Sequence, residues 1–118
     1  MSETGRPDAN DLLELLGDEY VQGILAATSQ EALAAKELGE ALGADVSTVY
    51  RRVDDMLDHD LLVEETRIVE DGSHHSVYRA NVDHVDVDIE DGDIVVGLQV
   101  RESASERFTR IWNDIREG

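Results

Sequence analysis

Two helical apolar stripes meet at one glycine. Residues 34–42, AAKELGEAL, put Ala35, Leu38 and Leu42 on one helical face. Residues 45–57, DVSTVYRRVDDML, do the same with Val49, Val53 and Leu57, and Met56 stands beside them. Gly43 lies between the runs, and glycine accepts the left-handed backbone that commonly closes a helix. Ala44 then leads to Asp45, a side chain suited to an N-cap, which stabilises a helix start by about 1 kcal/mol. Helix, tight glycine turn and second helix are the parts of a helix-turn-helix.

The second helix carries its polar residues away from its apolar face. Ser47, Thr48, Tyr50, Arg51 and Arg52 all point elsewhere. Arg51 and Arg52 are the only adjacent basic pair, and residues 46–53 contain no acid in a chain of 28 acidic and 10 basic residues. Hydroxyls in the first turn and arginines in the second suit entry into a DNA major groove, so helix 45–58 is expected to be a recognition helix. Ser47 and Thr48 sit near the helix N-terminus, where hydroxyls and backbone N–H groups can hold a phosphate. The competing role for the arginines is surface pairing with Asp54, Asp55 or Asp58. Tyr50 either touches DNA or covers the edge of the core.

Strand signals follow. Residues 61–70, LLVEETRIVE, are rich in Val, Ile and Thr; Asp71-Gly72-Ser73-His74 is a turn cluster; residues 76–80, SVYRA, read as the returning strand. A helix-turn-helix followed by such a hairpin is the winged-helix arrangement. In a second hairpin, Val85, Val87 and Ile89 alternate with Asp86, Asp88 and Glu90. Asp91-Gly92 is a two-residue turn of the type in which both residues take positive φ. The return strand places Ile94, Val96, Leu98 and Val100 on one face, and Gly97 marks a bulge or close packing.

At the N-terminal end, residues 1–10 are expected as a mobile arm. Leu12, Leu13, Leu15 and Leu16 come next, then Tyr20, Val21, Ile24 and Leu25 at helical spacing. Gly17-Asp18 can split this run into two helices, with Asp18 capping the second. Residues 29–33 connect. At the other end a helix is expected over 103–116, with Phe108, Ile111, Trp112 and Ile115 at i, i+3, i+4 and i+7. A chain of 118 residues has limited core to absorb both terminal stripes. Leu12, Leu16, Phe108, Ile111, Trp112 and Ile115 are therefore expected to pack across a two-fold axis in a homodimer; the alternative is that both stripes pack on their own sheet.

The net charge of −18 is unusual for such a chain. Self-repulsion of this size destabilises a compact state at low ionic strength. At about 1 M salt the Debye length is only ~3 Å, and the repulsion is largely screened. The acids are spread along the chain and the apolar periodicity survives between them, which points to a salt-adapted folded protein rather than a disordered acidic tail. An acidic mimic of DNA is a weaker alternative. There is no cysteine, which excludes disulfides and thiolate metal sites. No apolar run approaches the ~20 residues of a membrane span, no signal-peptide pattern opens the chain, and a cytoplasmic protein without membrane partners is expected.

The order of elements, with LAAKELGEALGADVSTVYRRVDDML, DLLVEE and the SVYRA strand, resembles the archaeal winged-helix transcription regulators grouped with ArsR-like and PadR-like repressors. The resemblance covers about residues 11–80, and the acidic hairpin and aromatic last helix are similar to the small haloarchaeal members. It implies a homodimer binding operator DNA with one recognition helix per half-site. Metal-sensing ArsR members use cysteine ligands, which this chain lacks.

The expected fold is therefore α+β. Residues 11–80 form a winged helix-turn-helix DNA-binding domain, and residues 81–118 an additional hairpin and a dimerisation helix. Lys36 from the first helix, and Arg67 and Arg79 from the wing, are candidate phosphate contacts, with surface salt bridges as their alternative. His74 and His75 at the wing tip are candidates for DNA proximity. Adjacent residues in a strand face opposite ways, so the two make a poor metal pair. No metal site and no cofactor are expected, and no catalytic motif occurs. The reading is a sequence-specific regulator partnered by double-stranded DNA, with salt cations bound at that interface. The alternative is a winged-helix protein-interaction module of a larger transcription or repair complex.

Overall fold

A computed structural model describes residues 9–101. The described residues are α+β, with four helices and two small antiparallel hairpins. In order these are α1 (Ala9–Leu16), α2 (Glu19–Thr28), α3 (Ala35–Leu42), α4 (Val46–Asp58), β1 (Leu62–Ile68), β2 (His74–Ala80), β3 (Val82–Glu90) and β4 (Asp93–Val100). No helix among the described residues is long and apolar enough to cross a membrane. Helix α1 starts inside the stretch expected as an arm; residues 1–8 and the expected helix 103–116 lie outside the described residues.

Gly17-Asp18 splits the N-terminal apolar run as expected. Asp18 is the N-cap of α2, and its Oδ1 accepts from the N–H groups of Tyr20 at 2.8 Å and Val21 at 3.0 Å. The amide of Gln22 donates back to the Leu16 carbonyl at 2.7 Å and ties the two helices together. Leu12, Val21 and Ile24 are buried. Thr28 is also buried, and its hydroxyl donates to the Ile24 carbonyl at 2.7 Å, so its burial leaves no unpaired polar group.

The α3–α4 turn depends on two glycines. Gly43 closes α3 at φ 67°, in the left-handed region. Ala44 N–H donates to the Gly39 carbonyl at 3.0 Å. A Cβ on Gly39 would stand 2.8 Å from the Ala44 carbonyl oxygen, so any larger residue there would push the turn off α3. Helix α4 buries Val49, Val53 and Met56, while Leu57 packs half-buried against the same core. Its end is a Schellman closure, with Asp60 at φ 63° and Leu61 N–H donating to the Met56 carbonyl at 2.8 Å.

The first hairpin pairs Leu62 with Ala80 through Ile68 with His74. Strand β2 begins at His74, so the turn is shorter than the sequence suggests, and both His74 and His75 belong to the strand. Within the expected connector 29–33, Leu33 forms an antiparallel bridge to Tyr78, exchanging backbone hydrogen bonds of 3.0 and 2.8 Å. The bridge fixes the hairpin base to the entry of α3.

The second hairpin turns at Asp91 (φ 50°) and Gly92 (φ 84°), both positive as the two-residue turn requires. Its one register irregularity lies between Val82 and His84. Gly97 pairs with Asp86 in unbroken register, and the Asp86 carboxylate lies over it, which is the close packing and not the bulge. Val85 and Leu98 pack half-buried on the core, whereas Val87, Ile89, Ile94 and Val100 are exposed.

Candidate nucleic-acid interface

The two arginines of α4 have different surroundings. Arg51 is exposed and makes no ion pair with any described residue, although Asp54 and Asp55 follow it by one turn. Arg52 is half-buried, and its Nε donates to Oδ2 of Asp18 at 3.0 Å. The Arg52 guanidinium also sits over the Tyr20 ring, 5.8 Å from the centroid, within cation–π range. One residue of helix rotates a side chain by about 100°, enough to turn Arg51 outward while Arg52 reaches α2.

Asp18 thus caps α2 with one oxygen and holds Arg52 with the other. Partial burial works to raise its pKa. The Val21 N–H, Arg52 and the Tyr20 N–H outweigh that, and the carboxyl titrates below its ordinary range. A cleft lined by Asp11, Glu14, Leu15, Asp18, Arg52, Asp55 and His59 opens beside this pair. Its carboxylates make this end of α4 negative.

The rest of the outward α4 surface is mixed. Val46, Ser47 and Tyr50 are exposed, and Thr48 is half-buried. Asp45 holds the N-cap backbone position, at φ −62° and ψ 145°, yet its side chain accepts no hydrogen bond from the helix. The donors of the first turn are therefore left without that acceptor. Tyr50 and Asp54 lie towards the hairpin base. Burial, together with the nearby charges of Glu64, Tyr50 and Asp54, raises the Tyr78 phenol above its ordinary value.

The basic residues expected on the wing are held by carboxylates. Arg67 donates to both oxygens of Glu37 at 3.2 Å and to the Ala32 carbonyl at 2.9 Å, fastening β1 to the start of α3. Glu37 also accepts the Ala34 N–H at 2.8 Å, the second half of a capping box whose first half an alanine cannot supply. The Ala34 N–H, against partial burial and with Arg67 adding to it, holds the Glu37 carboxyl below its ordinary range. Arg79 donates to Glu65 at 3.0 Å across the hairpin. Lys36 is exposed and unpaired among the described residues.

His74 and His75 are exposed, opposite Ile68 and Arg67 respectively, and Ser73 Oγ lies 3.2 Å from His75 Nε2. Among the described residues no three metal-binding side chains converge. Of the residues expected at a dimer interface, Leu12 is buried within its own chain and Leu16 is half-buried. Phe108, Ile111, Trp112 and Ile115 lie outside the described residues.

Sequence reasoning missed Asp18 as the partner of Arg52, and Glu37 as the partner of Arg67. Each pair spans thirty residues or more. Only the A-x-x-E spacing before α3 carried a local signal, for Glu37 as a capping residue. Compared with known proteins, the chain matches no protein-family profile and no curated protein.

Proposed function

We propose that the chain is a sequence-specific DNA-binding transcription regulator of the winged-helix type, adapted to high salt and acting as a homodimer. In this reading α2, the Leu33 bridge, α3, α4 and the β1–β2 hairpin form the winged helix, and α4 enters the major groove. The observation that carries it is Arg51, an exposed arginine with no ion pair to the described residues, on a helix that exposes Val46, Ser47 and Tyr50 before it and Asp54 and Asp55 after it. Arg51 reads a base, and Lys36 reaches a phosphate from α3. Arg52, Arg67 and Arg79 hold the scaffold in their ion pairs and contact DNA only by exchanging a carboxylate for a phosphate. His74 and His75 extend the wing beside the duplex. Salt cations sit between the protein's carboxylates and the phosphates.

One observation favours a protein-interaction module instead. The hairpin surface exposes Glu64, Glu65, Glu70 and Asp71 together with Ile68, a poor surface for a phosphate backbone. Selection of genomic DNA fragments on the protein in molar KCl, read by sequencing, separates the two. The regulator enriches fragments sharing one motif, whose half-sites in a dimer stand about 34 Å or a multiple apart. A flat distribution supports the interaction module.

A further inference from the structure

The second hairpin has an apolar face that the described residues leave half open. Directly paired residues put their side chains on the same side of a sheet. Val85 with Leu98, Val87 with Val96 and Ile89 with Ile94 therefore form one face. Ile89 is 80% exposed, Val100 62%, and Val87 and Ile94 50% each. An apolar face of this extent is normally covered.

The chain itself supplies a cover of matching chemistry and reach. Strand β4 runs from the tip of the hairpin to its base, and residues 102–118 follow from there. Ser103 and Glu106 have the S-x-x-E spacing of a capping box, and this spacing predicts a helix from Ala104 onward. A strand-to-helix link that short is within the usual range for a helix that packs on its own sheet. A helix over 104–116 is about 20 Å long, and the strand from Val100 back to Ile94 covers about 20 Å. Phe108, Ile111, Trp112 and Ile115 supply the apolar stripe, with Arg107 and Arg116 flanking it at helical spacing. Residues 82–100 hold six acids and no lysine or arginine, and residues 102–118 hold four acids and three arginines, so the apolar stripe and not the net charge makes the match.

We infer that residues 103–116 fold back as a helix across the apolar face of their own β3–β4 hairpin. The aromatic stripe is then spent within one chain, and any homodimer is built on other surfaces.

Trp112 is the only tryptophan, so its fluorescence reports this contact alone. The test is emission and acrylamide quenching of the full chain in molar KCl over a wide dilution series, with sedimentation at each concentration. The expected result is a blue-shifted, quencher-protected Trp112 at every concentration, including those at which the chain is monomeric. In the double variant Ile89→Ser with Ile94→Ser, emission should shift to the red and quenching should rise several-fold while far-ultraviolet circular dichroism is retained. Asp88→Asn, on the other face of β3, should change neither. Three results would overturn the inference. They are a parent Trp112 quenched as freely as a tryptophan amide in water, protection that appears only where a dimer forms, and a folded double variant with unchanged emission. If the double variant unfolds, the parent dilution series still decides.

Discussion

Arg52 of α4 and Asp18, the N-cap of α2, are joined by a 3.0 Å hydrogen-bonded ion pair. The pair locks the second turn of α4 against the start of α2, and it divides two neighbouring arginines into one structural and one outward-facing. Both side chains are about 28% exposed, so the pair is partly screened and contributes on the order of 1 kcal/mol at most.

Removing each partner should therefore have different costs. Asp18→Ala loses the N-cap as well as the pair, and is expected to lower stability by about 1–2 kcal/mol. Arg52→Ala should cost less than about 1 kcal/mol and leave operator affinity unchanged. Urea unfolding at fixed molar KCl measures the first two effects. An Arg52→Ala protein that is fully stable but no longer binds DNA would place Arg52 at the interface.

Acidification tests the clamp at the hairpin. Glu37 and Asp18 titrate below their ordinary values of 4.5 and 3.8. Each therefore contributes stability that is complete above the ordinary value and is lost as pH falls through the lowered one. Across the whole chain, protonation also relieves repulsion, which opposes this loss. The comparison with Glu37→Gln removes that common part. The variant should be less stable than the parent at pH 7, and the difference should shrink below about pH 4. A difference constant with pH would mean that the charge of Glu37 contributes nothing to folding.

The end of α4 offers a stabilising substitution. Asp60 takes φ 63°, a conformation costing a side-chain-bearing residue roughly 1–2 kcal/mol, though less for aspartate. Glycine takes it freely but loses more entropy on folding. Asp60→Gly is expected to raise stability by about 0.5–1 kcal/mol in urea. A loss of stability would show that the Asp60 side chain does something the backbone does not reveal.

Much of the scaffold was legible because it is written locally. The Gly43 turn, the Asp18 cap, the Asp91-Gly92 hairpin and the apolar face of α4 each follow from residues within one or two turns, although Met56 and not Leu57 is the fully buried residue at the end of that face. The Leu33–Tyr78 bridge was not legible, since a single paired residue has no periodicity. The fate of the arginines was hidden for a related reason. In a chain with this many acids any arginine has several nearby candidates, and only the tertiary fold showed that Arg52 pairs with Asp18 instead of Asp54, Asp55 or Asp58.

Salt should act on DNA binding in an unusual direction. A basic interface releases counterions and weakens with a slope near −0.9 per neutralised phosphate. Here Lys36 and Arg51 are the unpaired basic residues expected at the interface, while Asp45, Asp54 and Glu40 are exposed nearby. Cation uptake between these acids and the phosphates should offset release, so affinity stays flat or rises as KCl increases to molar levels. Circular dichroism of the free protein across the same series separates this from salt-dependent folding. A folded protein whose affinity still falls steeply would show a conventionally basic interface.

The most direct test of the account is the affinity of Arg51→Ala for the fragment that the parent enriches, measured in molar KCl beside Arg52→Ala. Arg51→Ala is expected to weaken binding by about 1–3 kcal/mol, roughly five- to 150-fold, and to relax preference at one base position. Arg51→Ala binding as tightly as the parent, with the same base preference, would contradict the assignment of α4 as the recognition helix.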